Sequence, residues 1–169
     1  MPASELVVYE DGHLLKYGHS DLLRYHGTAF PGGVAHALKA MQRAFPLLDD
    51  GRPPERREIE IHTAFRGLGG RDAFELVTRA TSGNRYHVDS GLERTERGSV
   101  LARYYFVFSY RGRSVALQIR EGLVREEFVT LEHKANRTKD EDERLEVLKA
   151  EMSARLVDAP CEEIYDIVG

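Results

Sequence analysis

The chain has one cysteine, Cys161, no tryptophan, and no apolar run near the roughly 20 residues that a membrane-spanning helix needs. A single cysteine excludes an intramolecular disulfide and any multi-cysteine zinc or iron–sulfur site within the chain, so no iron–sulfur cluster is expected. Met1 to Glu10 lacks the basic and apolar regions of a signal peptide, and a cytoplasmic address with no membrane partner is expected. Excess basic charge is also missing. Lysine and arginine total 24 against 28 aspartates and glutamates, a net charge of −4, which gives no general attraction to nucleic acid. No Ser/Gly or Pro-rich linker and no internal repeat divides the 169 residues, so a single domain spanning 1–169 is expected. There is no GxSxG elbow, which leaves a nucleophilic hydrolase without support.

What charge there is lies unevenly. Ser99 to Arg120 carries four arginines and no acid, whereas from Glu121 onward fourteen acids stand against seven bases. The acidic stretch reads as a solvated amphipathic helix over 138–156, or as a face for a partner. Thr138 and Glu141 have capping-box spacing at its start, and Leu145, Leu148, Met152 and Leu156 form a narrow apolar stripe along it.

Hydrophobic period places the other elements. Leu6 to Tyr9 reads as a strand, Ser20 to Tyr25 as a helical turn capped by Ser20 or Asp21, and Ile59 to Thr63 as a strand. Val34, Leu38, Met41 and Phe45 share one face of a helix that starts at Pro31 and is expected to end at Pro46. Gly67 to Gly70 leads into a second helix, and Ser82-Gly83-Asn84 reads as a turn. Alternation from Val100 to Tyr110, a turn at Arg111-Gly112 and renewed alternation from Ser114 to Arg120 predict a long hairpin. The fold class expected is α+β, a mainly antiparallel sheet with a long hairpin, packed by helices.

Two glycine-led helix starts draw attention to chemistry. A helix N-terminus presents unpaired N–H groups and the positive end of its dipole, and glycines let a ligand approach closely. If Gly32-Gly33 and Gly67 to Gly70 converge, they make a pocket for a polar or anionic group; otherwise they serve tight turns and close packing. Of seven histidines, His26 and His62 stand out because each precedes a glycine-led helix, with Asp72 and Glu60 the nearest carboxylates to orient them. No compact metal spacing such as HExxH is present. Cys161 lies in an acidic stretch that disfavours a thiolate and reads as structural.

His26-Gly-Thr-Ala-Phe-Pro-Gly32, Gly70-Arg-Asp-Ala-Phe-Glu-Leu-Val-Thr78 followed by Arg-Ala-Thr-Ser-Gly83, the Gly98 to Arg120 hairpin and the Pro160 to Val168 close occur in one order. In that order the sequence resembles the FmdE-like family, which takes its name from a component of formylmethanofuran dehydrogenase. The resemblance implies a His/Cys metal cluster, but Thr28, Phe30, Phe65 and Ala80 stand where the family has its second histidine and its cysteines. Thiolate metal chemistry is thereby excluded, while a divalent metal held by His19, His26 and His62 stays open. Phenylalanines in ligand positions point instead to an apolar pocket. The expectation is a small-molecule-binding or accessory protein, its ligand held by His26, Phe30, Gly32, Gly33, His62, Phe65 and Gly70. Two alternatives stay open: an enzyme using His26 or His62 as general base or metal ligand, and an accessory chain docking to a larger complex through the acidic helix. A homodimer is expected, because a long apolar hairpin in a small domain calls for a second covering layer.

Overall fold

The computed structural model describes residues 5–169. Strand β1 (Leu6–Glu10) and strand β2 (His13–Tyr17) form a two-stranded hairpin of their own. Asp11 and Gly12 close it at φ 48° and 81°, the left-handed pair that a two-residue hairpin turn demands. Only β1 carries a strand signal in the sequence. β2 lies at the surface, with Leu14 half-exposed, so no burial pattern marks it.

Helix α1 (His19–His26) follows, and its N-cap is Gly18 rather than Ser20 or Asp21. Asp21 sits one turn in, where its carboxylate accepts a 2.8 Å bond from the Gly18 N–H, and that bond holds its pKa down. Helix α2 (Pro31–Leu48) is the central element, buried almost all round from Gly32 to Met41. It runs two residues past Pro46, because a proline in the last turn costs only a bond near the end and its ring faces solvent.

Strand β3 (Glu60–Thr63), helix α3 (Leu68–Thr78) and strand β4 (Tyr86–Val88) come next, then the hairpin of β5 (Tyr105–Tyr110) and β6 (Arg113–Ile119). Helices α4 (Glu126–His133) and α5 (Lys139–Asp158) and strand β7 (Tyr165–Val168) complete the chain. The second sheet has the order β4-β3-β5-β6-β7, antiparallel except for the β3–β4 pair. The architecture is α+β, as the element order implied. Among the described residues no helix is long and apolar enough to cross a membrane.

The expected strand at Val100 begins only at Tyr105. Leu101 and Ala102 donate back to the Gly98 carbonyl and Tyr104 to that of Leu101, so this stretch is a chain of turns. Leu101, Ala102 and Tyr104 are still buried and Val100 partly so, as turn residues folded into the core.

The larger sheet has two unlike faces. Ile61, Phe106, Phe108, Leu117 and Ile119 point to one side and are completely buried under α2 and α3, where Phe74 meets the rings of Phe106 and Phe108 at 5.8 and 5.9 Å. Glu60, His62, Val107, Ser109, Ala116 and Gln118 alternate with them on the other side and stay half-buried. In α5 the capping box forms as expected, Glu141 N–H to Thr138 Oγ1 at 3.1 Å and Thr138 N–H to Glu141 Oε1 at 3.0 Å. Its stripe divides. Met152 and Leu156 join the main core, while Leu145 and Leu148 pack with Leu131 and Phe128 of α4.

Candidate functional site

The two glycine-led helix starts do converge. A β-carbon on Gly33 would stand 3.1 Å from the Gly70 nitrogen, and one on Gly69 would press onto the Phe30 carbonyl oxygen and lie 3.0 Å from the Val34 nitrogen. The glycines let α2 and α3 cross backbone to backbone. The start of α3 is covered as well, since the Phe65 ring lies where β-carbons on Gly67 and Gly70 would fall, at 2.5 and 2.8 Å. Close packing accounts for Gly69 and Gly70, and Gly32 abuts the Met152 methyl group.

Beside this crossing is a cavity of about 210 Å³, between the α2–α3 crossing, the turns preceding β5, and helices α4 and α5. For scale, a cavity of about 150 Å³ holds benzene. Phe30, Phe65, Val100, Tyr104, Phe128 and Met152 supply apolar wall, and Gly33 and Gly67 are also exposed to it. Arg66, Arg103, Glu132 and His133 provide its charged or titratable lining. Arg103 is steadied by Glu93, its Nε donating to Oε1 at 3.2 Å.

One polar group in this lining is completely buried. His36, in the second turn of α2, packs its ring 4.7 Å from that of Tyr104 and 6.0 Å from that of Phe65. Its Nδ1 lies 2.8 Å from the Tyr165 hydroxyl, while Nε2 is buried with no partner among the described residues. Burial, reinforced by the nearby Arg155 charge, pushes the His36 pKa down to about 3, so the ring is neutral at pH 7. Burial also raises the Tyr165 pKa well above its ordinary value, keeping that hydroxyl protonated. A neutral imidazole has one N–H and one lone pair. If Tyr165 donates to Nδ1, only the Nε2–H lacks a partner. The opposite tautomer would strand both the Tyr165 hydrogen and the Nε2 lone pair. The first arrangement leaves fewer buried groups unpaired, so Nε2 is a donor waiting for an acceptor.

The structure brings Phe30, Gly33 and Phe65 to this cavity; His26, Gly32, His62 and Gly70 do not line it. His26 is tied to α3 instead, Nδ1 to Asp72 Oδ2 at 2.8 Å, with its side chain only 5% exposed and Nε2 without a partner among the described residues. Asp72 is thus the carboxylate that orients His26. Glu60 pairs with His87 at 3.2 Å rather than with His62, whose ring stacks on that of His87 at 4.5 Å. His19, His26 and His62 do not gather: among the described residues, the metal-compatible group of three is Glu60, His62 and His87, with donor atoms within 4.8 Å of one another.

A His/Cys metal centre around His26 does not fit these residues. Thr28, Phe30, Phe65 and Ala80 offer neither imidazole nor thiolate, and the Nδ1 of His26 is engaged by Asp72. Cys161, the lone thiol, has its pKa raised to about 11 by burial and by Glu162, which suits a structural role. Sequence reasoning passed over His36. A usable signal was present: α2 is apolar nearly all round, and a histidine in such a helix is drawn into the core with it. No protein-family model matches the chain, and no curated protein sequence matches it.

Proposed function

We propose that this chain is a small-molecule-binding protein of the FmdE-like type, and that its ligand occupies the cavity beside His36. The observation that carries the reading is the Nε2 of His36, a buried donor without a partner among the described residues, on a residue that lines a cavity walled largely by Phe30, Phe65, Val100, Tyr104, Phe128 and Met152. A buried group left unpaired costs about 1–3 kcal/mol, and a ligand oxygen that accepts from it recovers that cost. The volume suits a molecule of one ring or a short branched chain. The Nε2–H of the neutral imidazole selects a carbonyl or carboxylate oxygen, and two arginines, Arg66 and Arg103, against the one carboxylate of Glu132 in the lining favour an acid over an amine.

Benzoate, acetophenone and benzylamine, titrated into isotopically labelled protein and followed by NMR, test this directly. Benzoate and acetophenone should shift the His36 and Phe65 resonances, and benzylamine should not. Replacing His36 by leucine should weaken benzoate binding by about tenfold, the worth of one hydrogen bond of roughly 1.4 kcal/mol. Equal benzoate affinity in both proteins would refute the reading.

A further inference from the structure

We propose that Glu60, His62 and His87 form a site for one divalent transition-metal ion of the zinc class, on the sheet face opposite the helices. The site is separate from the cavity: none of its three residues lines that space. Strand geometry brings them together. Glu60 and His62 are two residues apart on β3 and share a face, while the parallel β3–β4 register sets His87 directly beside His62. The side chains therefore occupy three corners of one small triangle, each held on a hydrogen-bonded strand.

The separations suit an ion. Zinc binds imidazole nitrogen at about 2.0–2.1 Å, so neighbouring ligand atoms in a tetrahedron are roughly 3.3 Å apart. His87 Nε2 and Glu60 Oε2 are already 3.2 Å apart. A ring nitrogen of His62 and one ligand atom each of His87 and Glu60 all lie within 4.8 Å of one another, and the His62 ring is tilted only 24° from that of His87. A modest side-chain rotation turns that stacked pair so that two nitrogen lone pairs and one carboxylate oxygen converge. Two nitrogens with one oxygen select a borderline ion; calcium and magnesium favour all-oxygen shells. Three protein ligands leave one tetrahedral position for water or another small donor. Entry needs no opening of the fold, because the side chains of His87 and Glu60 are 37% and 45% exposed.

The test uses the full chain without an affinity tag, freed of metal and then titrated with zinc by calorimetry, with elemental analysis after dialysis. Cobalt(II) serves as the spectroscopic probe, since a four-coordinate site gives it a strong visible band. One ion per chain is expected. His62→Ala and His87→Ala should each weaken zinc binding by at least about 100-fold, the upper end of what loss of a supporting residue costs a metal site. His13→Ala, at an exposed hairpin end, should leave it unchanged. Should a histidine variant fail to fold, the near-isosteric Glu60→Gln decides: it should weaken zinc and alter the cobalt band. No stoichiometric zinc in the wild type, wild-type affinity in the two histidine variants, or an unaltered cobalt band in Glu60→Gln would each overturn the proposal.

Discussion

The two sides of the central sheet treat the same residue type in opposite ways. On the covered side, His36 is completely buried, held neutral by its surroundings, and bonded through one nitrogen to Tyr165. On the other side, His62 and His87 are half-buried, stacked on each other, and accompanied by a carboxylate. Burial strips an imidazole of its charge and leaves it a fixed donor or acceptor, which suits recognition of an organic oxygen. Partial exposure lets imidazoles approach each other and an entering ion. His36 stands on α2, which packs into the core, whereas His62 and His87 lie on the outer face of β3 and β4, and one residue's step along β3 or β5 moves a side chain from one face to the other.

That contrast is sharpest at adjacent positions of β5. Phe106→Ala, on the covered side, should cost about 3–5 kcal/mol of unfolding free energy, as large-to-small changes of buried aromatics do. Val107→Ala, one step along and half-buried, should cost under about 1 kcal/mol. Denaturant titration of the two variants checks this, and equal losses would mean that the second face is also covered in solution, as a homodimer would require.

The covered side can be probed next through its helix crossing. Gly69→Ala forces a methyl group against the Phe30 carbonyl oxygen, a backbone atom, and should destabilise by about 1–3 kcal/mol. Gly32→Ala meets only the mobile end of Met152 and should fall within about 1 kcal/mol of wild type. Thermal melts of the pair separate rigid from yielding contacts.

The remaining effect is electrostatic, is read per pH unit, and belongs to His36. Its folded pKa of about 3 lies below its ordinary 6.5, so between those values the unfolded chain binds a proton that the folded chain does not. Folding stability should therefore fall as pH drops through that window, by up to about 1.4 kcal/mol per pH unit from this residue. His36→Leu should flatten that slope in urea titrations between pH 6 and pH 4. An identical slope in the variant would show that His36 is not held neutral.

How far these features are legible in the sequence varies with how local their causes are. The capping box at Thr138 and Glu141, the Arg111-Gly112 turn and the stripe from Leu145 to Leu156 follow from neighbours in the chain, and all three form. Val100 to Tyr104 misleads because alternation records which residues avoid water, not the backbone path that hides them. His26 and Asp72 are paired both by their places at the two helix starts and by the bond they make. His87 carries no signal of its own, because its partners Glu60 and His62 lie 27 and 25 positions away in the chain, and only β3–β4 pairing unites them.

Composition and short-range period were thus enough to set the α+β class, the shortage of thiolate ligands, and the apolar character of Phe30 and Phe65. No tertiary contact can alter those properties. Packing in three dimensions decided that the glycine-led helix starts would be filled by each other and by Phe65. It also decided that His36 would carry an unmet hydrogen bond beside the cavity, and that Glu60, His62 and His87 would share one face. Each of those outcomes depends on distances between segments far apart in the chain, set by how the helices and strands pack.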